Sequence, residues 1–158
     1  MNLLSALCRV PAAAALLHAA GAWAGPLAMT QEAGVRWVCG GVGAEERREL
    51  AALEPRANLK LLFVTQKRGG YLADVAVAVT EQGAKARRLE IRSDGPVCLL
   101  DLPAGRYRVE ASFGGTQRGV EVKLGADAAK LQRAVFAFPG EPWDGIWADE
   151  EEKRGARP

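Results

Sequence analysis

The sequence predicts a mainly β protein, a seven- or eight-stranded antiparallel sandwich with one short N-terminal helix. Three observations carry this reading. Residues 94–113, DGPVCLLDLPAGRYRVEASF, read as two strands around a turn: 97–102 are β-rich, Pro103 fixes φ at the head of the turn, Gly105 offers a positive φ, and Tyr107, Val109, Ala111 and Phe113 alternate. The rest of the chain after residue 58 is a series of short apolar-alternating runs separated by Gly, Pro and Asp signals, the pattern of an antiparallel sandwich. Only residues 44–54, AEERRELAALE, have helical composition, with Glu45 and Glu46 near the positive end of the helix and Pro55 closing it.

The N-terminal elements follow in order. One cation, Arg9, precedes an apolar run at 10–20, and Ala22 and Ala24 give an A-x-A cleavage pattern, so residues 1–24 are expected to be a secretory signal peptide. The run is shorter than the roughly 20 residues of a membrane span. Cys8 follows bulky Leu7 and lies before the apolar run, which is not the place of a lipid-bearing cysteine. Residues 25–35 are small and polar, a flexible lead. The sandwich domain is assigned to 36–139, beginning with a short strand that ends at Cys39 and is broken by Gly40-Gly41-Val42-Gly43. Leu50 and Leu53 face the sandwich from the helix, while Glu45, Arg48 and Glu49 form its solvated side.

Along the sandwich, Leu59, Leu61 and Phe63 alternate with Lys60, Leu62 and Val64 in a strand covered on both faces. Residues 71–80 place Val75, Val77 and Val79 on one side and Asp74, Ala76 and Ala78 on the other. A half-exposed strand at 87–92 sets Leu89 and Ile91 against Arg88, Glu90 and Arg92. After Phe113, Gly114-Gly115 turns the chain into a strand with Val120, Val122 and Leu124 inward, and a last strand runs over 130–138.

Asp94-Gly95, an apolar strand, and Leu102-Pro103-Ala104-Gly105-Arg106-Tyr107 together resemble the carboxypeptidase regulatory-like, transthyretin-like group of small β-sandwiches; Leu72-Ala73-Asp74-Val75 resembles an earlier strand of the same group. The resemblance covers about residues 59–124 and extends to small exported proteobacterial proteins built on this domain. It implies an immunoglobulin-like or transthyretin-like sandwich in which Tyr107, with Pro103 and Gly105, serves as a structural tyrosine corner. It also implies a domain with no chemistry of its own. The helix at 40–54 and the Gly114-Gly115-Thr116 that stands for a usual Gly-Phe depart from the group's pattern.

The reactive inventory narrows the function. His18 is the single histidine of the chain and falls within the expected signal peptide, as does Cys8. A mature chain without imidazole has no Ser-His-Asp or Cys-His nucleophile and no histidine for a zinc site. Cys39 and Cys98 are expected to form one disulfide in an oxidising compartment. Formal net charge is +2, with both signs interspersed, which argues against a nucleic-acid partner. Gly40–Gly43 ahead of a helix mimics a phosphate loop, but no Lys-Ser/Thr follows and two glutamates occupy the helix start. Asp74, Glu90, Asp94 and Asp101 are the carboxylates available for a hydrolase that needs no histidine, although no spacing selects a pair. Arg87, Arg88, Arg92, Arg106 and Arg108 are interleaved with Glu90 and Glu110, as on a solvated sheet face.

Residues 140–158 differ from the rest: Trp143 and Trp147 stand four apart before the acidic run 149–152 and then Lys153, Arg154 and Arg157. The two indoles either cover an apolar patch of the sandwich or anchor a partner. The sequence thus predicts a non-catalytic module, periplasmic or secreted, with no cofactor and no metal and no membrane span in the mature chain. Its expected partner is an envelope protein or surface glycan. The alternatives are a carboxylate-only hydrolase and an accessory or inhibitor of an exported enzyme.

Overall fold

A computed structural model describes residues 27–32, 34–83, 86–126 and 130–140. The expected signal peptide, the turn at Ala84, and Trp143 and Trp147 lie outside these residues. Among the described residues, nine strands form two sheets, so the sandwich has one or two strands more than the sequence predicts. They are β1 (Thr30–Glu32), β2 (Val35–Gly40), β3 (Leu59–Thr65), β4 (Ala76–Glu81), β5 (Arg88–Arg92), β6 (Val97–Asp101), β7 (Gly105–Phe113), β8 (Thr116–Leu124) and β9 (Gln132–Phe138). The helix α1 (Ala44–Leu53) runs into a 3-10 turn at Glu54–Arg56, where Pro55 is tolerated because a first-turn N–H has no intrahelical partner. One sheet has the order β1-β2-β6-β3-β9 and the other β5-β4-β7-β8.

Three features depart from the predicted layout. Within the lead, β1 pairs antiparallel with β2, placing Thr30 opposite Trp37, and Leu27 and Met29 pack beside α1. Its residues in β1 are all exposed, so no burial pattern marks them as a strand. The sheet is also not purely antiparallel, because β9 lies parallel to β3 from Leu59–Gln132 to Thr65–Phe138. Residues 71–75, assigned to the fourth strand from their valine alternation, precede it instead. Asp74 takes a left-handed φ of 62°, which interrupts extended backbone, and Tyr71 makes only an isolated bridge to Val64.

The core lies between the sheets. Leu59, Leu61, Phe63, Val77, Val79, Cys98, Leu100, Val109, Phe136 and Phe138 are buried there, and Phe63 meets Phe136 with ring centroids 5.9 Å apart. Each fully buried large side chain of this kind contributes about 1.5–3 kcal/mol relative to exposure. A second, smaller cluster of Val38, Leu50, Ala57 and Leu99 lies outside the five-stranded sheet, under α1. The Gly114-Gly115 turn has φ of 54° and 75°, both positive, as a two-residue hairpin with the twist of its strands requires. At Gly95 a Cβ would collide with the backbone of Gly40, so the turn before β6 rests directly on the end of β2.

Candidate functional site

The predicted site residues that the structure describes fall in separate places. Cys39 and Cys98 are directly opposite in the β2–β6 ladder, their Cα atoms 4.1 Å apart, and their sulfurs are bonded. Both are buried in the core, Cys39 at 4% exposure and Cys98 at 0%. The bridge closes a loop of sequence separation 59, a constraint on the unfolded chain of about 4 kcal/mol in the chain-entropy account.

Tyr107 stands at the corner between β6 and β7. Its ring is buried, and its hydroxyl donates to the Pro103 carbonyl at 2.8 Å. Gly105 is not among the residues of positive φ, so the turn does not need its conformational freedom. The glycine lies against the ring, where a Cβ would come to 3.4 Å from Tyr107 Cε2, ordinary contact distance. Burial raises the phenol pKa above its ordinary value, with the Glu81 charge adding to the rise and Arg87 opposing it.

Beside this corner the structure reveals a residue that sequence patterns do not mark. Asn58, 6% exposed, donates through Nδ2 to the Leu102 carbonyl at 2.7 Å and accepts at Oδ1 from the Leu102 amide at 3.0 Å. Its backbone amide reaches Leu100 and its carbonyl accepts from Gln132. One side chain therefore continues the β6 ladder past its last residue, while its backbone joins β3 to β6 and β9. A single asparagine at a strand entrance gives no periodic signal, and its partner is 44 residues away in sequence.

The charged candidates lie mainly on the outer face of the four-stranded sheet. Cross-strand register sets Arg92, Ala76, Ser112 and Gln117 in one row, and Glu90, Ala78, Glu110 and Gly119 in the next. Arg88, Thr80, Arg108 and Glu121 form a third. The small residues of β4 floor an open furrow of about 430 Å³, walled by Arg88, Glu90, Arg92, Glu110 and Gln117. The charges pair locally: Arg88 with Glu90 at 2.9 Å, Arg108 with Glu110 at 3.3 Å and with Glu121 at 3.6 Å, and Arg87 with Glu81 at 2.8 Å. Arg106 is exposed at the end of this face. Asp74 is gripped through both oxygens by Arg92, which holds its carboxyl below the usual carboxylate range.

Two of the four candidate carboxylates lie away from the furrow. Asp101 lies on β6 of the other sheet, bonded to Arg36 across the ladder, and Asp94 is exposed in the turn before β6. Asp74, held ionised, has no proton to donate near neutrality.

The glycine loop ahead of α1 is filled by the helix itself. Glu46 Oε2 accepts from the Gly41 and Val42 amides at 3.0 and 3.1 Å, and Arg47 Nη1 donates to the Val42 carbonyl at 3.0 Å. The amides that a phosphate would use are already engaged by a carboxylate. Glu49, read from sequence as solvated, accepts from the Leu27 amide at 2.9 Å and ties the lead to the helix.

No family model matches the chain. Over 90 residues, 51% of its length, it is 34% identical to a UDP-N-acetylmuramoylalanine--D-glutamate ligase of Parasynechococcus marenigrum (strain WH8102). The matched part is 19% of that protein, so the chain spans about a fifth of the curated relative's length. Among the described residues, no helix is long and apolar enough to cross a membrane.

Proposed function

We infer that the protein is a non-catalytic, exported β-sandwich module of the carboxypeptidase regulatory-like type, which binds another envelope protein through the outer face of its four-stranded sheet. The furrow over Ala76 and Ala78 carries this reading: its floor is small enough for a polypeptide backbone to approach, and its walls present both signs of charge to a partner. A surface glycan fits less well, because the residues lining the furrow include no aromatic ring on which a sugar could stack. The cross-strand disulfide supports a periplasmic or secreted location, since such bonds persist in oxidising compartments.

The test is crosslinking in the intact cell envelope, with the native chain compared with Ala78→Trp, which fills the furrow from an outward, half-buried position. The expected outcome is a defined crosslinked partner with the native chain that is lost with the variant, while the variant's thermal unfolding stays native-like. A partner captured equally by both proteins removes the furrow as the binding face.

A further inference from the structure

Among the described residues, the outer face of the five-stranded sheet is covered over only half its width. α1 sits over β2 and β6, burying Val38 and Leu99 beneath Leu50. Over β3 and β9 the outward residues are Leu62 beside Val135 and Val64 beside Ala137, with Tyr71 bridged to Val64 at the border. Val135 and Tyr71 are each 61% exposed. The strip continues into a hollow of about 240 Å³ between α1 and β3, where Leu62, Tyr71, Pro96 and Val97 meet Leu50 and Ala51. Its ends are basic: Lys67 and Arg68 are exposed in the turn after β3, and Arg133 is exposed on β9. Lys60, next to Arg133, is already engaged by Glu54.

The geometry points to the chain's own segment 141–152 as the occupant of this strip, with Trp143, Ile146 and Trp147 seated on Leu62, Val64, Val135 and Ala137. Three observations select it. The described chain leaves β9 at Phe138, at the end of the strip, and Gly140 has a positive φ of 85° that permits reversal. The length of chain after Gly140 is sufficient: three residues span at most about 10 Å, enough for Trp143 to return over Ala137, and Trp147 has four residues more. The spacing of Trp143, Ile146 and Trp147 puts all three on one face of such a turn, the pattern by which a short helix lies in an apolar groove. Third, charge is complementary: Glu141, Asp144 and the acidic run 149–152 face a strip ended by Lys67, Arg68 and Arg133. The basic residues Lys153, Arg154 and Arg157 lie beyond that acidic stretch.

The inference concerns the sheet opposite the proposed partner face and stands independently of it. It is tested on the full chain by methyl NMR, comparing the native protein with Trp143→Ala/Trp147→Ala. Indole rings over the strip shift the methyl resonances of Leu62, Val64 and Val135, so the double variant is expected to move these three and leave core methyls such as Val109 in place. Reciprocally, Val135→Lys, at an exposed position, is expected to shift tryptophan emission to the red without changing methyl dispersion in the core. Strip methyls that are unchanged in the double variant overturn the proposal. Methyl shifts that grow with protein concentration alongside a sedimenting dimer also overturn it, assigning the strip to a second copy of the chain.

Discussion

The Tyr107 hydroxyl makes one neutral hydrogen bond, to Pro103, in a buried setting, so Tyr107→Phe is expected to cost about 1 kcal/mol in chemical denaturation. The same residue predicts a direction with pH. Because the folded phenol titrates above its unfolded value of about 10, its contribution is complete below that pH and is lost as pH rises through the folded value. Stability of the native protein should therefore fall in the alkaline range more steeply than that of Tyr107→Phe, as urea midpoints on both sides of pH 10 will show. Parallel curves would remove the ionisation from the account. Asn58 carries more weight than the tyrosine: Asn58→Ala leaves the Leu102 amide and carbonyl without their side-chain partners in a buried setting, an expected loss of about 2–4 kcal/mol. Asn58→Ala unfolding within experimental error of native would show that water replaces the side chain at no cost.

Among the elements, β2 and β6 are joined twice, by the ladder and by the Cys39–Cys98 bond within it. Labelling of the unfolded, non-reduced native protein is expected to find no free thiol at these positions. Cys39→Ala/Cys98→Ala should lose about 4 kcal/mol through the freed unfolded chain, with the packing lost to the smaller side chains adding to it; two reactive thiols after unfolding contradict the bond. The elements also show what the sequence can disclose. Strands with one buried face, such as β5 with Leu89 and Ile91 inward, are legible because burial writes a period of two into the residues. The Gly114-Gly115 hairpin is legible because its backbone demands residues without Cβ. β1 is not, because an exposed three-residue edge strand buries nothing that would leave a pattern. Asp74 is instructive in the opposite sense: the valine alternation continues through Val75, but a left-handed residue ends the extended backbone before the alternation ends. The furrow is hidden for a related reason. Its floor residues Ala76 and Ala78 can be read from one strand, yet its walls come from β5 and β7, and only cross-strand register sets Glu90 and Glu110 on either side of Ala78.

At the scale of the whole molecule, the antiparallel neighbours β4–β5 and β7–β8 close through local turns, whereas β9 must reach back to β3 across most of the domain. Such pairings carry a loop-closure cost before any contact offsets it, and they slow folding accordingly. A chain ending at Leu131 would lack Phe136 and Phe138, and is expected to show no cooperative thermal transition even with the disulfide formed; a sharp transition would show that the remaining strands suffice. The parallel β3–β9 pair thus acts as a timer. During synthesis from the N-terminus, β3 emerges before either of its neighbours, β6 fills one flank midway, and the other stays unfilled until β9, at nearly the last described residue, has appeared. Until then Leu61 and Phe63 lack Phe136 and Phe138, the β9 side chains that complete the core beside them.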